Sequence, residues 1–96
     1  MKFEWDEAKN RININKHGIS FQEAIYVFSD PFALSAHDSE HSEEEDRWVL
    51  LGKNLNDSIL LVVHTFRTGE TIRLISARKA TKNERSSYIK RVHNER

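Results

Sequence analysis

The stretch that most constrains the fold is residues 71–88, where an apolar strand bearing arginines runs without a break into a capped helix. It reads Thr71-Ile72-Arg73-Leu74-Ile75-Ser76-Ala77-Arg78-Lys79-Ala80-Thr81-Lys82-Asn83-Glu84-Arg85-Ser86-Ser87-Tyr88. Thr81 with Glu84 three residues later is a capping box, which fixes the start of the helix. Arginine recurs on the strand (Arg73), at the junction (Arg78) and in the helix (Arg85). Cations placed where a sheet meets a helix N-terminus suit phosphate. The segment points toward nucleic acid.

A formal net charge of zero argues the other way until its distribution is considered. Residues 37–46 carry six acids (Asp38, Glu40, Glu43, Glu44, Glu45 and Asp46) and no Lys or Arg, whereas residues 67–96 carry nine cations against three acids. Such segregation can create a local positive field that the total conceals. The plainer alternative, a Lys/Arg-rich solvated helix face, does not account for arginines on and beside a strand. At 96 residues, 38% apolar and 31% charged, the chain is expected to form one domain over residues 1–96. Without cysteine there is neither a disulfide framework nor a thiolate zinc site. The first residues lack signal-peptide character and no apolar run approaches membrane-spanning length, so a cytoplasmic location is expected.

Residues 2–5 alternate as a short edge strand. Asp6 can cap a helix to about Lys16, with Gly18 as its left-handed stop and Ala8 and Ile12 toward the core. Ser20 with Glu23 opens a second helix, whose apolar stripe is Phe21, Ala24, Ile25 and Phe28, and Asp30-Pro31 ends it. Strands follow at 32–37, 48–53, 58–67 and 71–77, with the acidic tract as a loop. The run 59–63 reads as a strand buried on both faces. A final helix over 82–92 turns Tyr88, Ile89 and Val92 inward, and the last residues are expected to fray. The order β-α-α-β-β-β-β-α predicts an α+β fold, mainly antiparallel, with helices on one face and the other face open.

Three segments together carry a family resemblance. Phe3-Glu4-Trp5-Asp6-Glu7-Ala8-Lys9, Lys16-His17-Gly18-Ile19-Ser20-Phe21-Gln22-Glu23-Ala24 and Ile75-Ser76-Ala77-Arg78-Lys79-Ala80 resemble the hallmark segments of BrnT-type toxins. The likeness continues through Asp30-Pro31, Gly52 and Val63-His64-Thr65. The resemblance implies a RelE-like fold, ribonuclease activity that blocks translation, and neutralisation by a cognate antitoxin. It further implies that the antitoxin carries a ribbon-helix-helix domain, so that operator DNA is met only through it. The chain departs from the pattern at Phe66, where many relatives have a charged residue, and at Asn56-Asp57, where a glycine and a basic residue are common.

Cleaving RNA without a metal or other cofactor requires a base for the 2′-hydroxyl, cations for the phosphorane and an acid for the leaving oxygen. Histidine suits either proton transfer, and the arginine fork suits phosphate. The candidate catalytic residues are therefore His64, Arg67, Glu70 and Arg78, with Lys16, His17, Arg73 and Lys79 as RNA contacts. Each has a structural alternative: His64 as a core histidine, Arg67 with Glu70 as a cross-strand pair, Arg78 as an ion-pair partner, and His17 at a favourable helix C-terminus. If Thr68-Gly69 is a two-residue turn, His64 lies opposite Arg73. Both would then project with Val62, Ile75 and Ala77 onto the open face, leaving Ile59, Leu61, Val63, Ile72 and Leu74 under the helices. His37 and His41 could bind zinc if helical. Lacking an apolar stripe, the segment reads better as a solvated acidic loop able to meet a basic antitoxin arm. Two further readings stand beside the nuclease: a non-catalytic nucleic-acid-binding module and a protein-interaction domain.

Overall fold

The apolar runs become the middle of a five-stranded sheet. In the computed structural model, which describes residues 1–94, strands β1 (Lys2–Glu4), β2 (Leu34–His37), β3 (Trp48–Lys53), β4 (Ile59–Phe66) and β5 (Thr71–Lys79) lie in the order β1-β5-β4-β3-β2. Only the β1–β5 pair is parallel. Helices α1 (Glu7–His17) and α2 (Phe21–Ala24) lie between β1 and β2, and α3 (Lys82–Asn94) follows β5. Glu95 and Arg96, counted in the basic third and expected to fray, lie outside the described residues. Among the described residues no helix is long and apolar enough to cross a membrane.

The caps follow the local chemistry. Asp6 accepts from the amides of Ala8 and Lys9, and Ser20 accepts from that of Glu23. Gly18 closes α1 at φ 71°, a conformation glycine adopts without a Cβ penalty. After α2 the chain tightens into a 3-10 turn over Ile25–Ser29, so Val27 is fully buried beside Phe21 and Ala24. Ala8 and Ile12, expected in the core, are instead exposed; α1 docks through two buried asparagines. Asn10 accepts from the Phe21 amide at 2.8 Å, while Asn13 receives the Ala77 amide at 3.1 Å and donates to the Ala77 carbonyl at 2.8 Å. β1 is too short to pair β5 beyond Arg73, and Asn13 takes the place of a strand at Ala77.

Both faces of β4 meet a helix, the second only at its Ile59 end. Leu60, Val62, Ile72, Leu74 and Ala77 pack with α2 and the 3-10 turn. Ile59 and Leu51, on the opposite face, pack against Tyr88 of α3. The expectation that all helices share one face is therefore corrected: α3 folds onto the other side, drawn by the apolar surface at that end of β3 and β4. Asp30 ties the two sides together. It accepts from the amides of Phe32 (2.9 Å) and Lys53 (2.8 Å) and from the Tyr88 hydroxyl (2.5 Å). Burial would raise its pKa, but those donors outweigh burial and lower it. Gly52 allows this approach, because a Cβ there would lie 3.0 Å from the Asp30 carboxylate and from Val27.

The β4–β5 connection corrects the proposed register. The Arg67 amide bonds the Thr71 carbonyl, so the turn holds three residues, with Gly69 at φ 73°. His64 pairs with Leu74, and Thr65 takes the position opposite Arg73. One added residue reverses which side chains face which way. Val62 and His64 accordingly turn beneath α2 and the 3-10 turn, not onto the open face. A bulge between Val63 and His64 leaves Ile75 as the extra residue of β5, which lets both Leu74 and Ala77 point inward.

Candidate active site on the open sheet face

The face away from α1 and α2 is left uncovered between α3 at one end and the loop of residues 38–47 at the other. Val49, Leu61, Val63 and Ile75 floor a hollow of about 300 Å³, rimmed by Asp38, His41, Arg47 and Arg78. The loop is built by its own hydrogen bonds. The Asp38 amide donates to the Arg47 carbonyl (2.8 Å), the Ser42 hydroxyl donates to the Asp38 carbonyl (2.5 Å), and the Arg47 amide donates to Ser42 Oγ (3.0 Å). The Thr65 hydroxyl fastens it to β4 by donating to the Asp46 carbonyl at 2.6 Å. Within it, a 3-10 turn over Ser39–His41 brings His41 Nδ1 to 3.0 Å from Asp38. His37 pairs instead with Asp46 at 3.1 Å, so the two histidines of the zinc alternative bond separate carboxylates.

Four arginines point to this side of the sheet or its border, and three are already engaged. Arg78 donates from both terminal nitrogens to the Glu84 carboxylate, at 2.8 and 3.0 Å. Glu84 in turn accepts from the Thr81 amide at 2.8 Å, so the helix cap and the ion pair share one carboxylate. That bidentate bond pulls the Glu84 pKa down to about 2 and raises that of Arg78. Arg67 lies 3.3 Å from Glu45, and Arg73 lies 2.7 Å from Glu4. Among the described residues the Arg47 guanidinium has no ion-pair partner. A second hollow, lined by Glu40, Glu43, Glu44 and Glu45, meets the first at His41 and Arg47. Its carboxylates repel phosphate, so the sheet-side hollow is the candidate.

The other residues singled out from sequence lie elsewhere. His64 is 2% exposed, edge-on to the rings of Phe28 and Phe66, and donates from Nδ1 to the Val62 carbonyl. Burial lowers its pKa, offset in part by that bond. It is a core histidine, removed from solvent and from Arg73. Glu70 sits on the turn, 3.9 Å from the N-terminal amine. Lys16 is exposed and His17 half-buried at the end of α1, whereas Lys79 lies with Arg85 in a separate hollow near Asp57.

Residues 5–84 match the family described as ribonuclease toxin BrnT of type II toxin-antitoxin systems. This chain belongs to the BrnT family. The fold agrees: the crystal structure of the Brucella abortus ribonuclease toxin BrnT superposes with a TM-score of 0.66 at 27% identity, covering 85% of this chain and 99% of that one. No curated protein sequence matches significantly. As a BrnT-family ribonuclease toxin of a type II system, the chain has a cognate antitoxin as its partner. The matched span contains the whole rim of the hollow and ends at Glu84, the partner of Arg78. From sequence, His41 is weighed only as a zinc ligand beside Asp38, and Arg47 is not singled out at all. The one available signal was a lone arginine closing an acidic run immediately before a strand.

Proposed function

We propose that this BrnT-family chain is a RelE-like, metal-independent endoribonuclease that blocks translation in the cytoplasm. Its antitoxin, in this reading, neutralises it and carries a ribbon-helix-helix domain through which the pair meets operator DNA. The observation that carries the proposal is the sheet-side hollow, where Arg47, without an ion-pair partner among the described residues, and the Arg78 fork border an apolar floor. Apolar side chains offer stacking contact to bases, while guanidinium groups hold a phosphate and stabilise charge on the phosphorane. Arg67 and Arg73, at the border of the same face, lie along a path for adjoining phosphates.

The test uses purified toxin, freed from antitoxin, with random-sequence RNA, free or ribosome-bound, in excess EDTA. The expected result is 2′,3′-cyclic phosphate and 5′-hydroxyl ends, with Arg47→Ala lowering kcat/KM about 10²-fold or more at unchanged thermal stability. Cleavage that requires an added divalent ion would discard the metal-independent mechanism. Normal growth on expression of folded toxin would discard translation block.

A further inference from the structure

Cleavage through the 2′-hydroxyl needs proton transfers that arginine, always charged, does not perform near neutrality. His64, the histidine suggested by sequence, is sealed in the core. We infer that His41 is the catalytic acid–base residue of the open face and that Asp38 is its positioning residue, an inference that rests on the RNA-cleaving reading of that face.

Nδ1–H of His41 donates to the two Asp38 oxygens at 3.1 and 3.0 Å. This bond selects the neutral tautomer in which Nε2 carries the lone pair, on the side of the ring away from Asp38. The imidazole is 63% exposed, whereas the carboxylate that orients it is only 22% exposed. Asp38 is itself held through its amide and carbonyl by Arg47 and Ser42, so the hydrogen bonds that fix the dyad also fix Arg47, immediately before β3. His41, Arg47 and Arg78 border one hollow, bringing a proton acceptor and two cations able to meet a phosphate to the same site. His37 has a carboxylate partner too, but it packs edge-on against Trp48 and does not border that hollow.

In the step assigned to it, Nε2 takes the proton of the 2′-hydroxyl as O2′ bonds to phosphorus. The P–O5′ bond breaks, and the imidazolium returns a proton to O5′, directly or through one water. Arg47 and Arg78 stabilise the phosphorane, and no further reactant is consumed. The charged groups facing the ring are Asp38, Arg47 and Arg78 on the sheet side, with Glu40 and the carboxylates of residues 43–45 on the loop side.

The experiment compares kcat, KM and thermal stability of wild type, His41→Ala, His37→Ala and Asp38→Asn on the RNA substrate. His41→Ala should lower kcat by about 10²–10³-fold with KM little changed, and added imidazole should restore part of the rate. His37→Ala should retain activity. Asp38→Asn should lower kcat with KM and thermal stability unchanged; a mere structural role for Asp38 shows instead as lost stability with the kcat of the folded protein kept. A His41→Ala protein that cleaves at the wild-type rate overturns the inference and leaves the RNA-cleaving reading standing. A rise in KM with kcat unchanged also overturns it, by making His41 only a binding residue. Folded wild type that cleaves no RNA removes the reading and the inference together.

Discussion

At the scale of one residue, His64 is decided by a single count in a turn. With two turn residues it would share an open face with Arg73; with three it faces Leu74, between the rings of Phe28 and Phe66 at 4.9 and 5.5 Å. The imidazole is then a neutral core group whose protonation burial opposes. Because its folded pKa lies below the unfolded value of 6.5, the unfolded chain binds the proton first. Its contribution to stability is fully present above pH 6.5 and is lost as pH falls below it, at up to about 1.4 kcal/mol per pH unit. Urea unfolding should therefore show wild type weakening from pH 7 to 5, and His64→Leu should flatten that dependence while folded protein keeps its RNase activity. An unchanged slope in the variant would assign the titration to another group.

At the scale of elements, α1 is held by polar side chains where an apolar stripe would be sought. Asn13 supplies both halves of a strand's hydrogen-bond pair to Ala77 and also donates to the Ile19 carbonyl at 2.8 Å. Asn13→Ala strands buried amide and carbonyl groups and should cost roughly 2–4 kcal/mol in urea unfolding. A loss under about 0.5 kcal/mol, the range of ordinary surface changes, would mean that β5 finds other partners there. What could be read from sequence follows from this contrast. Caps at Asp6, Ser20 and Thr81, the stop at Gly18 and the doubly buried run at 59–63 are local chemistry, and they were legible. The side chosen by α3, the Ile75 bulge and the asparagine docking of α1 depend on what lies across the fold, and they were not. The same division runs through the site. Arg78 was visible as a cation at a capped junction. Arg47 was hidden, and His41 read only as a weak zinc candidate, because the surrounding acids made their segment read as solvent-facing loop, while hydrogen bonds from Asp38, Ser42 and Thr65 fold it against the sheet.

Across the whole molecule, the neutral net charge conceals an arrangement in which Arg67, Arg73 and Arg78 each carry a carboxylate of their own, Glu45, Glu4 and Glu84. RNA must share or displace those pairs, so few counterions are released on binding and the affinity should depend only modestly on salt. Arg47 is the arginine of this face without an ion-pair partner among the described residues, and each phosphate it neutralises contributes a slope of about −0.7 in log K against log salt. Glu84 is the informative carboxylate, because it serves the α3 cap and Arg78 at once. Replacing it by Gln frees the Arg78 fork for phosphate, so Glu84→Gln should bind RNA more tightly, with a slope steeper by about 0.7. The same change should weaken the fold. The Glu84 carboxyl is held down to about 2 against an ordinary 4.5, so its stabilisation is present above pH 4.5 and is lost as pH falls from there toward 2. Wild type and Glu84→Gln should therefore differ in denaturation midpoint at pH 7 and converge as the pH falls from 4.5 toward 2. Tighter RNA binding together with that convergence would identify one carboxylate that stabilises the strand–helix junction and competes with RNA for its arginine. A variant that loses stability without gaining affinity would show that Arg78 meets no phosphate, leaving Arg47 to carry that role on the open face.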